Sequence, residues 1–266
     1  MMVVLPRQRS APTMAKPHVL SESHGTVRLI TLNRPSSGNR ITEALALEFV
    51  DALHGVVEDD SIYVAVIAGS GESFSLGSDA PLAEMGASSA ALRSVAAYVG
   101  GLTKPVIGAV NGHAIGQGLE LALACDLRVM SVAAKLQLDQ MARGEIPWDG
   151  GTQRLPRLVP RGLATEMLLL GRELDAEEAL SRGLVSQLAP GSEVVEQAMK
   201  LAQRLAKAAP IANNYAKEAI LKGMDVSLEQ GLRLEADLAV LLHTSRDREE
   251  GIRSFLNKRP PNFTGS

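Results

Sequence analysis

The apolar and polar positions fall into two kinds of stretch. VRLITLNRP (27–35) alternates apolar and polar residues and stops at Arg34-Pro35, which predicts a half-buried strand. Thr42 stands where a helix cap belongs, ahead of EALALEFVDALHGVVE (43–58), whose apolar residues at 45, 49, 53, 56 and 57 share one helical face. YVAVIAG (63–69) and KPVIGAVNG (104–112) are unbroken apolar runs closed by glycine, the pattern of strands buried on both faces. Between them, GESFSLGSDA (71–80) reads as a loop and 89–102 as a helix. NGHAIGQGLELALACD (111–126) opens another helix, and LRVM (127–130) is a short strand. GGTQRLPRLV (150–159) starts a helix at two glycines, limited by Pro156. Asp175-Ala-Glu-Glu178 has the spacing of a capping box, for a helix ending at Gly183.

From about residue 192 the pattern is helical throughout: 192–208, 211–223, 227–243 and 246–257, with a second capping box at Ser227-Leu-Glu-Gln230. Strands and helices thus alternate over the first two thirds, and an all-helical third follows without a low-complexity linker. The expectation is an α/β fold divided as a tail (1–17), a core (18–200) and a helical C-terminal region (201–266). No internal repeat of fixed period is visible. Residues 1–18 carry Arg7, Arg9, Lys16 and three prolines but no acid. Their short apolar MVVL precedes the charges, the wrong order for a signal peptide, so an unstructured tail with Met14 as an alternative start is expected.

Composition narrows the classes. The 266 residues suit one large domain or two small ones, and a net charge of −3 offers no basic field for nucleic acid. A single cysteine, Cys125, excludes a disulfide framework and a cysteine-based zinc site, and fits a reducing, cytoplasmic setting. His18, His24, His54 and His243 lack ligand spacing, so no metal is expected. No run reaches the roughly 18 to 20 apolar residues of a membrane span. Aromatic residues are only 3% of the chain, which leaves few platforms for stacking bases.

Two loops then stand out. SFSLGSD and AIGQG each follow a buried apolar strand and feed a helix. Glycine lets the backbone approach a ligand, and the first turn of a helix has unpaired N–H groups. Two such groups aimed at one point form an oxyanion hole. One glycine turn alone is ordinary in an α/β protein. No Lys-Ser/Thr follows the glycines, which removes the P-loop, and a GxGxxG fingerprint is absent. Glu120, inside LELALACD, is a carboxylate in an apolar run and is costly to bury without a purpose.

Taken in order, VRLITLNRP, GSGESFSLGSD, KPVIGAVNGHAIGQGLELALACDLRV, IPWDGGTQRLPRLVPRG, SRGLV and SRDREEGIRSFLNKRPPNF resemble the enoyl-CoA hydratase/isomerase (crotonase) superfamily from about residue 18 onward. The resemblance implies a crotonase-like spiral of ββα units with a helical C-terminal trimerisation region, a homotrimer or a homohexamer built as a dimer of trimers, and an acyl-CoA thioester substrate. It implies no cofactor beyond the coenzyme A of that substrate, and no metal. Carried over by position, the oxyanion amides are those of Ser78 and Gln117, and Ser75, Leu76, Asp79 and Gly116 surround them. The resemblance also points Arg40 and Lys258 toward CoA phosphates; a terminal basic pair, Lys258-Arg259, is otherwise a solvated face.

Hydratases of the family use two glutamates. Glu120 matches the first, and burial should raise its pKa toward neutrality. The second position, four residues before Gly144, holds Gln140, which positions water but transfers no proton at ordinary pH. Asp149 has two readings: a second acid or base, as related dienoyl-CoA isomerases and a dehalogenase place an Asp in this loop, or the N-cap of the 150–158 helix. Trp148 has two as well, a flat wall of the acyl pocket or ordinary packing. Asp139 is expected to point elsewhere, and His113 to be structural.

Four functions compete. The first is hydration of a 2-enoyl-CoA or a conjugated dienoyl-CoA, linear or cyclic. The second is double-bond isomerisation using Glu120 alone or with Asp149. The third is a non-catalytic acyl-CoA or RNA binder. The fourth is hydrolysis, either with Ser75 or Ser78 as nucleophile or by activated water on a ring.

Overall fold

The computed structural model describes residues 16–81, 84 and 86–266. Most of the expected tail lies outside the described residues.

The chain winds between two sheets. The first has six strands: β1 (Val19–His24), β2 (Val27–Leu32), β3 (Val64–Gly69), β5 (Val106–Val110), β7 (Leu127–Ser131) and β10 (Gln187–Ala189), in that spatial order. Only the β1–β2 pair is antiparallel; the others run parallel. The second sheet has four short strands, β4 (Ser73–Ser75), β6 (His113–Ile115), β8 (Lys135–Gln137) and β9 (Leu174–Asp175). Successive turns give one strand to each sheet: β3 then β4, β5 then β6, β7 then β8. This is the ββα spiral, and it brings the ends of β4, β6 and β8 side by side.

Every residue of β3 and β5 is buried because both faces of the first sheet are covered. On one face, Val64, Val66, Ile107 and Val129 pack against Val194, Ala198 and Ala202 of α8 (Val194–Leu205). On the other, Ile30, Ile67 and Val110 join Phe49 and Leu53 of α1 (Glu43–Glu58) in the main core. Helix α1 starts where expected, with the Thr42 hydroxyl accepting the Leu45 N–H. Helix α8 runs through the division expected at residue 200, so that boundary falls inside one packed helix.

Three expectations change. The single helix at 89–102 is two short helices, α2 (Ala87–Leu92) and α3 (Val95–Gly100), broken at Arg93-Ser94. The loop 71–80 contains β4. The 175–178 cap is one-sided: the Asp175 carboxylate accepts the Glu178 N–H at the start of α7 (Ala176–Ser181), while Glu178 turns to Arg172. The capping box at Ser227 is complete in both directions. The remaining helices are α4 (Gln117–Ala124), α5 (Gly151–Leu158), α6 (Arg161–Leu169), α9 (Pro210–Gly223), α10 (Leu228–Leu242) and α11 (Arg246–Leu256). Among the described residues no helix is long and apolar enough to cross a membrane. Buried Lys217 anchors α9 to the core, donating to Asp126 Oδ2 at 2.8 Å and to the Lys104 carbonyl at 3.0 Å.

Candidate active site

The two glycine turns meet. Gly77, with φ +85°, lies so close to the other turn that a Cβ there would sit 2.9 Å from the Ile115 carbonyl and 3.3 Å from the Gln117 nitrogen. A Cβ on Gly118 would reach within 2.1 Å of the Ser75 carbonyl, so only glycine lets α4 start against β4. The N–H groups of Ser78 and Gln117 therefore emerge from adjoining backbone. Neither makes a hydrogen bond among the described residues. Two free amides beside the positive end of α4 are donors of the kind an anion would use.

Glu120 lies in the first turn of α4 and is fully buried. Its Oε1 accepts the backbone N–H groups of Asp149 and Gly151, each at 2.8 Å. Its Oε2 accepts Gln140 Nε2 at 3.0 Å. Burial is the leading cause that pushes its pKa up to about 7; the Asp149 charge adds to this, and the two N–H donors and Arg154 oppose it. A carboxylate so placed exchanges a proton near neutral pH.

Gln140 is buried in a single turn of 3-10 helix that follows β8. Its Nε2 is fixed on Glu120, which leaves Oε1 as a buried acceptor without a partner among the described residues. The departure from the two-glutamate pattern therefore falls inside the site, in contact with the surviving glutamate.

Asp149 does not meet the capping reading. Helix α5 has Gly150 at its N-cap position and no side-chain cap, so Asp149 does not cap the helix that follows it. Its carboxylate instead accepts four donors: Ser94 Oγ at 2.6 Å, the N–H groups of Ala96 and Ala97 at 3.0 and 3.2 Å, and Gln117 Nε2 at 3.0 Å. It caps α3 from 53 residues away in sequence, measured to Ala96. Burial raises its pKa and these bonds oppose the rise. Trp148 is half-buried beside it.

The other expected residues divide. Ser75 is buried, its hydroxyl donating to the Asn39 carbonyl and accepting the Gly77 N–H. Ser78 Oγ donates to the Ala80 carbonyl and accepts Arg93 Nη2. With both hydroxyls holding loop backbone, neither has the base partner of a serine nucleophile. Leu76 packs on Gly38, and Asp79 pairs with Arg93. Arg40 is exposed but turns inward, donating to the carbonyls of Leu76 and Ser78 at 2.8 and 3.0 Å. Gly116, at φ +54°, accepts the Glu120 N–H. Asp139 comes closer than expected: a Cβ on Gly116 would be 2.8 Å from its Oδ1, while Oδ2 pairs with Arg143. His113 is structural, accepting the Lys135 N–H at 3.1 Å. Lys258 stands exposed past α11, and neighbouring Arg259 is engaged by both oxygens of Glu250. Arg93 and Ser94 are the residues that the sequence reading passed over. The only local signal for them is a polar pair inside a stretch of small apolar residues.

Known proteins share this chain's sequence and fold. The profile of the family described as Enoyl-CoA hydratase/isomerase matches residues 22–266. The 2,3-dehydroadipyl-CoA hydratase of Escherichia coli (strain K12) is 40% identical over 245 residues, covering 90% of this chain and 95% of that one. The (E)-benzylidenesuccinyl-CoA hydratase of Thauera aromatica is 37% identical, covering 93% and 99%. The crystal structure of enoyl-CoA hydratase from Bacillus anthracis superposes with a TM-score of 0.88 at 35% identity, over 94% of this chain and all of that one. The chain belongs to the enoyl-CoA hydratase/isomerase family, with the α/β fold of its solved hydratases.

Proposed function

We propose that the protein adds water across the double bond of a 2-enoyl-CoA with Glu120 as the single proton-transferring carboxylate. The observation that carries this reading is the Glu120 carboxylate, buried, near-neutral in pKa, and held between the Asp149–Gly151 backbone and Gln140. The thioester oxygen is received by the N–H groups of Ser78 and Gln117. A water lies between Glu120 and the open Oε1 of Gln140. Glu120 removes a proton from that water as its oxygen bonds to C3. The C2=C3 electrons move to the thioester oxygen, and the enolate is held by the two amides. The same proton then passes from Glu120 to C2. Water has been added, and Glu120 ends as a carboxylate.

Support for hydration over isomerisation comes from the relatives, which are named as hydratases acting on acyl-CoA thioesters, and from the amide of Gln140, which suits water better than hydrocarbon. No cofactor is required beyond the coenzyme A of the substrate. Exposed Leu228, Phe255 and Leu256 in the helical region are consistent with assembly into trimers or hexamers.

Loss of enoyl thioester absorbance on adding protein to crotonyl-CoA tests the reading. Turnover by the wild type that falls about 10²- to 10⁴-fold in Glu120→Gln is expected. Turnover that survives in the variant sinks it.

A further inference from the structure

The break between α2 and α3 places one residue against both halves of the oxyanion hole. Arg93 is only 5% exposed. Its Nη2 donates to Ser78 Oγ at 2.9 Å, to the Ile41 carbonyl and to the Asp79 carboxylate. Ile41 in turn pairs with this loop, its N–H donating to the Gly77 carbonyl at 2.8 Å. The side chain of Arg93 therefore fixes the Ser78 turn. Its backbone carbonyl does the same for the other turn, accepting Gln117 Nε2 at 2.5 Å. In a continuous helix that carbonyl would take the N–H four residues on, at Ala97. Here Ala97 donates to Asp149, and the Arg93 carbonyl is released toward Gln117 and the Val95 N–H. Ser94, the next residue, joins Asp149 as well.

We infer that Arg93 is a positioning residue of the oxyanion hole, setting the spacing and aim of the Ser78 and Gln117 amides by gripping one turn with its guanidinium and the other with its carbonyl. The inference rests on the reading that these two amides receive the thioester oxygen. All three acceptors fall on one nitrogen, Nη2, while Nε finds no partner among the described residues, so the grip is a point contact that a lysine ammonium can reproduce in part. Displacements of about 1 Å at such a site cost on the order of 10²-fold in rate.

The test reads carbonyl polarisation directly. A cinnamoyl-CoA thioester with a para-amino donor absorbs at longer wavelength when its carbonyl oxygen is hydrogen-bonded. Its spectrum is recorded free, on the wild type, and on Arg93→Met, Arg93→Lys and Ser78→Ala, with crotonyl-CoA kinetics beside it. The wild type is expected to shift the band to the red. Arg93→Met is expected to lose half or more of that shift and about 10- to 100-fold in kcat, with KM within about threefold, because the defect lies in the enolate and not in CoA binding. Arg93→Lys recovers part of both effects. Ser78→Ala, which removes only the hydroxyl that Arg93 grips, shows a smaller loss of the same kind. No red shift on the wild type overturns the reading of the hole itself. A wild-type shift retained in full by folded Arg93→Met overturns the role of Arg93. Should Arg93→Met fail to fold by thermal melting, Arg93→Lys and Ser78→Ala carry the test, and full shift and kcat in both overturns it too.

Discussion

Glu120 and Asp149 are buried carboxylates on either side of one hydrogen bond, since the Asp149 N–H is a donor to Glu120. Burial raises the pKa of both. They differ in what surrounds their oxygens. Asp149 accepts four donors from two segments, Ser94 with Ala96 and Ala97, and Gln117. Its charge is locked into joining α3 to α4. Glu120 accepts three, two backbone N–H groups and the Gln140 amide. Burial alone therefore does not mark a catalytic carboxylate. The supply of fixed donors decides whether a buried charge holds structure or moves a proton.

The sharpest break of this comparison is in activity. Glu120→Gln should lose about 10²- to 10⁴-fold in kcat, whereas Asp149→Asn, of the same shape, should lose about tenfold or less at its optimum. Steady-state crotonyl-CoA hydration by the two purified variants measures this. Equal losses would make Asp149 a partner in proton transfer.

Stability should rank them the other way. Asp149→Ala leaves four donors without an acceptor and should cost about 2 to 4 kcal/mol in urea unfolding. Glu120→Gln should gain. Glu120 has a folded pKa of about 7 against an ordinary 4.5, so the folded state holds its proton longer than the unfolded chain. Ionising it costs stability as pH rises between those values, and the full cost is present above the upper one. The gain of Glu120→Gln should be on the order of 1 to 3 kcal/mol at pH 8 and fade below pH 4.5.

Gln140→Ala should lose about tenfold in kcat. Removing the Nε2 donor withdraws a bond that favours the charged form of Glu120. The acid limb of its pH profile should therefore move upward. A limb that stays in place would separate Gln140 from Glu120.

The sequence carried the two halves of this site unequally. Glu120 was legible because a carboxylate within LELALA has no cheap structural reason, and Gln140 only through the family resemblance, which places the second glutamate four residues before Gly144. The buried strands at 64–69 and 106–110 were legible from continuous apolar runs. The short strands β4, β6, β8, β9 and β10 were not, because two or three residues are too few for a period to show. The break at Arg93-Ser94 was hidden for another reason. ASSAALRSVAAYVG is locally a good helix, and what interrupts it is Asp149, which takes the N–H groups of Ala96 and Ala97 from a distant loop. A tertiary partner overrides local propensity there, and with it the position of Arg93 is lost to sequence reading.

The central claim is that one carboxylate, Glu120, carries the proton. The pH dependence of kcat/KM for crotonyl-CoA, which reports ionisations of the free enzyme, tests it most directly. The account predicts an acid limb that falls by one proton with a midpoint near 7, where Glu120 titrates. A limb that falls by two protons, or a midpoint in the ordinary carboxylate range, would contradict it.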